Sequence, residues 1–95
     1  MGLKTKRWDP AEHLDSEEAI VAYVDAALAD GDPSLIAAAL GDVARARGMS
    51  QIARETGLSR ESLYKALNAD GNPEFATVMR VMKALGLRLT ASPAE

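Results

Sequence analysis

The chain has 95 residues, enough for one domain with one modest core, and no cysteine, which excludes disulfide frameworks and thiolate metal sites. Its apolar content is carried by Ala, Leu, Val and Met rather than by aromatics; Ala and Leu favour helix, so an all-α domain is expected. The formal net charge of −3 argues against a uniformly basic surface, and no apolar run approaches the roughly 18 residues of a membrane span.

Residues 1–15 read as an N-terminal arm, and residues 16–95 as a single helical domain. The arm opens on Met1-Gly2-Leu3-Lys4-Thr5-Lys6-Arg7, whose charges have no apolar stretch behind them. It is not a secretory signal, and a reducing cytoplasm is the expected location. Ser16 caps a first helix with Glu17 and Glu18 in its first turn. Its apolar stripe is Ile20, Tyr23, Val24, Ala27 and Leu28, and Gly31 ends it. Asp32-Pro33 opens a second helix, carrying Leu35, Ile36, Ala39, Leu40, Val43 and Ala44 to a stop at Gly48. Ser50 opens a short third helix that ends at Gly57, and Ser59 opens a fourth running to about Asn68. After the loop Ala69-Asp70-Gly71, Asn72 and Pro73 start a fifth helix. That helix places Phe75, Val78, Met79, Met82 and Leu85 on one face and ends at Gly86. Leu87 to Ala91 alternates apolar and polar as a short strand does, and Thr5 to Trp8 is a weaker strand candidate. These segments can pair with each other or with a second copy of the chain.

The stretch Met49–Asn68 has the spacing of two short helices crossing steeply. Ala53 is small where the helices touch, Gly57 tolerates the turn, and Leu58, Leu63, Ala66 and Leu67 hold the second helix to the first. Arg60, Glu61, Ser62, Tyr64 and Lys65 are left outward, a face suited to the major groove. A plain helical hairpin uses Ala and Gly in the same way.

This 20-residue pattern resembles the helix-turn-helix of the phage repressor and Cro family, with Ala at the fifth place and Gly at the ninth. From about Arg7 to Leu89 the chain also resembles HigA-like antidotes (antitoxins) of bacterial toxin–antitoxin addiction modules. The likeness is carried by Ala39-Leu40-Gly41-Asp42-Val43-Ala44-Arg45, Gly57-Leu58-Ser59-Arg60-Glu61-Ser62-Leu63-Tyr64-Lys65, Gly71-Asn72-Pro73 and Ala84-Leu85-Gly86-Leu87. It implies a five-helix repressor-like all-α domain with short terminal strand segments. It also implies a homodimer that binds its own operator DNA and neutralises a small basic RelE/ParE-type toxin. No further helix follows Gly86, so the helix from Ser16 to Asp30 is the element available to fill that space.

The charge distribution fits two partners. Between Trp8 and Asp42 there are nine acids and no Lys or Arg; between Val43 and Thr90 there are eight bases against four acids, a net +4. The acidic third suits a basic protein and the basic remainder an anion, although an accidentally uneven surface has the same composition. The candidate DNA contacts are Gln51, Arg54, Ser59, Arg60, Glu61, Ser62, Tyr64 and Lys65. In repressor-like domains Gln51 and Arg54 fall where phosphate is touched, with solvated Gln51 as the alternative. Arg60 suits bidentate pairing to guanine, and Lys65 suits phosphate. Glu61 either accepts from cytosine or helps cap its helix. Tyr64 either reaches a thymine methyl or phosphate oxygen, or half-buries against the fifth helix.

Trp8 reads as a packing anchor. His13 has no second His or Cys to make a metal site or dyad, and Asp9, Glu12 and Asp15 lack the glycine and terminal glutamate of a calcium loop. No metal or cofactor is expected and no catalytic constellation is present, so an enzyme is not. The alternatives are a stand-alone phage-type repressor without a toxin, and an interaction module that has lost DNA binding.

Overall fold

The computed structural model describes residues 9–94. A 3₁₀ turn at Pro10–His13 precedes five helices: α1 Glu17–Asp30, α2 Pro33–Arg47, α3 Met49–Thr56, α4 Arg60–Ala66 and α5 Phe75–Ala84. The chain is all-α, as its composition predicts. Most helix starts have a visible local cause. Asp9 Oδ1 accepts from the Ala11 N–H at 3.1 Å, Ser16 Oγ from Ala19 at 3.1 Å and Asp32 Oδ1 from Ser34 at 2.9 Å. Each side chain satisfies a donor that the first turn would otherwise leave open.

The fold is organised around α2, which packs against the 3₁₀ turn and every other helix. Leu40, Val43 and Ala44 of α2 are buried with Ile20 and Val24 of α1, Ile52 of α3, Leu63 of α4 and Val81 of α5. Leu14 joins the same core from just before α1. Such interdigitated aliphatic packing supplies most of the helices' stability, since helices this short are marginal alone. No helix of the described residues is long and apolar enough to cross a membrane.

Several sequence expectations need correction. Helix α3 begins at Met49, not Ser50. Gly48 ends α2 and caps α3 at once, donating to Ala44 O at 2.9 Å and accepting from Ile52 N at 3.1 Å. Helix α5 begins at Phe75 behind Glu74, so Asn72 is no cap and Pro73 not its first residue. Its expected face holds in part: Met82 and Leu85 are buried as expected and Val81 is buried with them, whereas Phe75 is 69% and Met79 40% exposed. Leu35, expected in the α2 stripe, is likewise exposed. Helix α4 stops at Ala66, short of Asn68. Leu87–Ala91 forms no strand among the described residues. It keeps the alternation in burial, with Leu87 and Leu89 half-buried and Arg88 and Thr90 exposed. Thr5–Trp8 lies outside the described residues.

Candidate nucleic-acid interface

The α3–α4 pair is built by three small devices. Gly57 takes φ +79° after α3 and its N–H donates to Ala53 O at 3.0 Å; an added Cβ would meet nothing within 4 Å, so the glycine serves the left-handed backbone, not space. Thr56 Oγ1, buried, donates toward Ile52 O at 2.8 Å and Ala53 O at 3.3 Å while accepting from the Leu58 N–H at 3.3 Å. Ser59 Oγ accepts from the Ser62 N–H and donates to Ser62 Oγ, each at 2.9 Å, which caps α4. Leu63, at 0% exposure, and Leu67 then hold the inner side of α4 in the core.

The opposite side of α4 presents Arg60, Glu61, Ser62, Tyr64 and Lys65, all exposed. Tyr64 is 45% exposed, and Arg60 of its own helix lies over its ring. The Arg60 guanidinium carbon stands 5.9 Å from the Tyr64 ring centroid, one helical turn away, so cation–π attraction steadies the side chain without using its N–H donors. Among the described residues Arg60, Glu61 and Lys65 have no hydrogen-bond or ion-pair partner. Ser59 is committed to its cap, whereas Ser62 keeps its hydroxyl proton to offer. On α3 Arg54 is exposed, and Gln51 Nε2 donates to Glu55 Oε2 at 3.1 Å along the helix.

The basic half of the sequence thus divides by role. Arg45 donates to Asp42 at 2.6 Å and to Asp9 at 3.0 Å, and Arg47 donates to Leu85 O at 3.3 Å. Arg45 is thus paired with acids, whereas Arg47 has no ion pair among the described residues. The Tyr23 hydroxyl completes the first cluster, donating to Asp42 Oδ2 at 2.5 Å. The Arg45 hydrogen bond holds the Asp9 carboxyl below its ordinary range, and Asp9 in turn raises Arg45. Burial, reinforced by the bond to Asp42, pushes the Tyr23 phenol up to about 12. Arg54, Arg60 and Lys65 remain on α3 and α4, while Arg80, Lys83 and Arg88 lie on and after α5.

Sequence reasoning missed Thr56, Asn68 and Gly41. Asn68 Nδ2 donates to the Tyr64 and Lys65 carbonyls at 2.6 and 3.1 Å, and its Oδ1 accepts from Asp70 N at 2.8 Å, closing α4 and starting the loop together. Gly41 lies buried in α2 against the Leu67 backbone. A glycine inside a helical pattern was the available signal for that close approach.

The family described as "probable addiction module antidote protein" matches residues 4–93. The chain belongs to this family. An uncharacterized protein of Haemophilus influenzae is 61% identical over 88 residues, covering 93% of this chain and 91% of that one. No solved structure matches. The match to the antidote family takes in every described helix, so α1 and the acidic third belong to the antidote chain as much as α3 and α4 do.

Proposed function

We propose that this antidote protein binds its own operator DNA through α4, represses its own transcription as a homodimer, and neutralises a small basic RelE/ParE-type toxin by direct contact. The observation that carries the DNA reading is the row on α4. Arg60, Glu61 and Lys65 are exposed, with no side-chain hydrogen bond or ion pair among the described residues, on a helix whose other side is held by Leu63 and Leu67. Long polar side chains on a fixed, protruding helix are what base edges and phosphates require, and α3 supplies Arg54 and Gln51 toward the backbone. A seven-residue helix reads few base pairs, so useful specificity needs two copies on a two-fold site.

An antidote needs a toxin to neutralise, and the acidic third offers the complementary field to a basic one. The family description favours this over a repressor without a toxin partner. A gel shift with the DNA upstream of the chain's own gene tests the DNA reading. The expected result is a complex on that DNA that survives competition by scrambled DNA; no difference between the two would overturn it.

A further inference from the structure

Two charged strips flank the C-terminal segment. On α1, Glu18, Val21 and Asp25 are exposed and share one stripe, at spacings of three and four residues. On α5, Met79, Arg80 and Lys83 are exposed on another. Val21 is 48% exposed and Met79 40%, so each strip has an apolar side chain among its charges. Leu87, Arg88 and Leu89 line one cleft with Val21 and Asp25, and a second with Met79, Arg80 and Lys83. The order across this side is therefore acidic strip, segment, basic strip. Ion pairs among the described residues all involve Arg45, which leaves Asp25, Arg80, Lys83 and Arg88 without one. Glu55 of α3 lines a further cleft with Arg80 and Lys83 but forms no ion pair with either among the described residues.

We infer that this side is where a second copy of the chain docks, each copy laying its acidic strip on the other's basic strip. The inference rests on the homodimer reading above and adds the surface and its orientation. A two-fold axis parallel to the segment turns acid–segment–base into base–segment–acid on the facing copy, so both outer strips meet their opposites at once. A two-fold axis across the segment sets acid on acid and base on base. Charge selects the first arrangement. Val21 and Met79 supply the apolar contact within each charged meeting. None of Arg60, Glu61, Tyr64 or Lys65 lines either cleft, so a pair formed here keeps both α4 rows open.

Charge exchange tests this by sedimentation at low salt, without DNA or toxin. One variant carries Arg80→Glu with Lys83→Glu, the other Glu18→Lys with Asp25→Lys, and circular dichroism verifies that each is folded. Wild type is expected to be a dimer, and each variant alone to dissociate about tenfold more readily or worse. An equimolar mixture of the two variants is expected to regain wild-type association, because both meetings are again between opposite charges. Folded variants that dimerise like wild type place the dimer contact on another surface, and this inference fails while the homodimer reading stands. A folded mixture that does not re-associate overturns the charge pairing between the two copies, since only opposite charges then face each other. If Arg80→Glu with Lys83→Glu leaves dimerisation intact but abolishes DNA binding, the basic strip belongs to DNA. A monomeric wild type overturns both the surface and the homodimer reading.

Discussion

The carbonyl oxygen of Leu67, at the end of α4, occupies the space that a side chain on Gly41 would need. Gly41 is buried mid-way along α2, so the absence of a Cβ there is what lets α4 lie against the central helix. Gly41→Ala gains about 1 kcal/mol of helix propensity. It must also push backbone away from backbone, and overpacking of that kind costs about 1–3 kcal/mol or more. The overlap wins because no flexible side chain can yield. Thermal unfolding is expected to show a net loss of stability, and an unchanged or raised Tm would contradict the close approach.

Arg60 and Lys65 are expected to differ in what they do on DNA. Arg60→Ala should cost about 1–3 kcal/mol on the operator and relax preference at one base position per half-site. Lys65→Ala should weaken all sequences nearly alike and reduce the salt dependence by roughly one unit of slope per contact. Both side chains point away from the core, so circular dichroism should be unaltered. Arg60→Ala with the wild-type ratio of operator to scrambled DNA would remove α4 as the base reader.

Thr56→Val keeps the shape of the side chain and removes its oxygen. The Leu58 N–H then loses its acceptor, and Ile52 O and Ala53 O lose a donor. Stability should fall by about 1–2 kcal/mol, the usual cost of an unmet buried polar group. Since this oxygen bridges the end of α3 to the start of the turn, hydrogen exchange at Leu58 should accelerate more than at Val43.

The cluster around Arg45 gives stability a dependence on pH at both extremes. Asp9 titrates below its ordinary 3.8 in the folded chain, so its contribution is present above that value and is lost as pH falls through the depressed one. Tyr23 rises from 10.0 to about 12, so its contribution is whole below pH 10 and is lost as pH climbs toward 12. Denaturant unfolding across pH should show Asp9→Asn flattening chiefly the acid limb, with a small effect on the alkaline limb because Asp9 also raises Tyr23, and Tyr23→Phe flattening the alkaline limb. Asp9→Asn flattening the alkaline limb more than the acid one would contradict the assignment.

The acidic third should matter to the toxin through its field. Glu12 and Asp15 are exposed and lie before α1. Reversing both to Lys should slow association with the product of a neighbouring short basic reading frame roughly tenfold at low salt and far less at high salt. Equal association rates at low salt would move toxin recognition elsewhere.

The helix count, the α1 stripe and the outward row of α4 were legible because capping residues, glycines and apolar spacing all agree there. Ser16, Asp32 and Ser59 each bond the backbone they precede. Helix α5 was legible only in part, because Phe75, Val78, Met79, Met82, Val81 and Leu85 spread over too wide an arc for periodicity to fix the edges of the buried side. Met82 and Leu85 are buried as expected, and contact with α2 and α3 adds Val81 and leaves Phe75 and Met79 out. Arg45 illustrates a different gap. In the sequence it counts toward a basic half, whereas in the fold it is bound by acids from 36 and 3 residues away. Pairing over such a distance has no local signature.

Gly48, at φ +108°, is the last link of α2 and the first of α3, and no spacer separates them. The joint therefore works as a rigid elbow rather than a tether. The aim of α3, and through the Thr56–Gly57 turn that of α4, is slaved to the helix at the centre of the core. A single residue inserted at this elbow would swing the α3–α4 pair by a large fraction of a helical turn. Surface loops elsewhere absorb such insertions; here one added codon would re-aim the outward row of α4 and leave the fold's hydrophobic inventory complete.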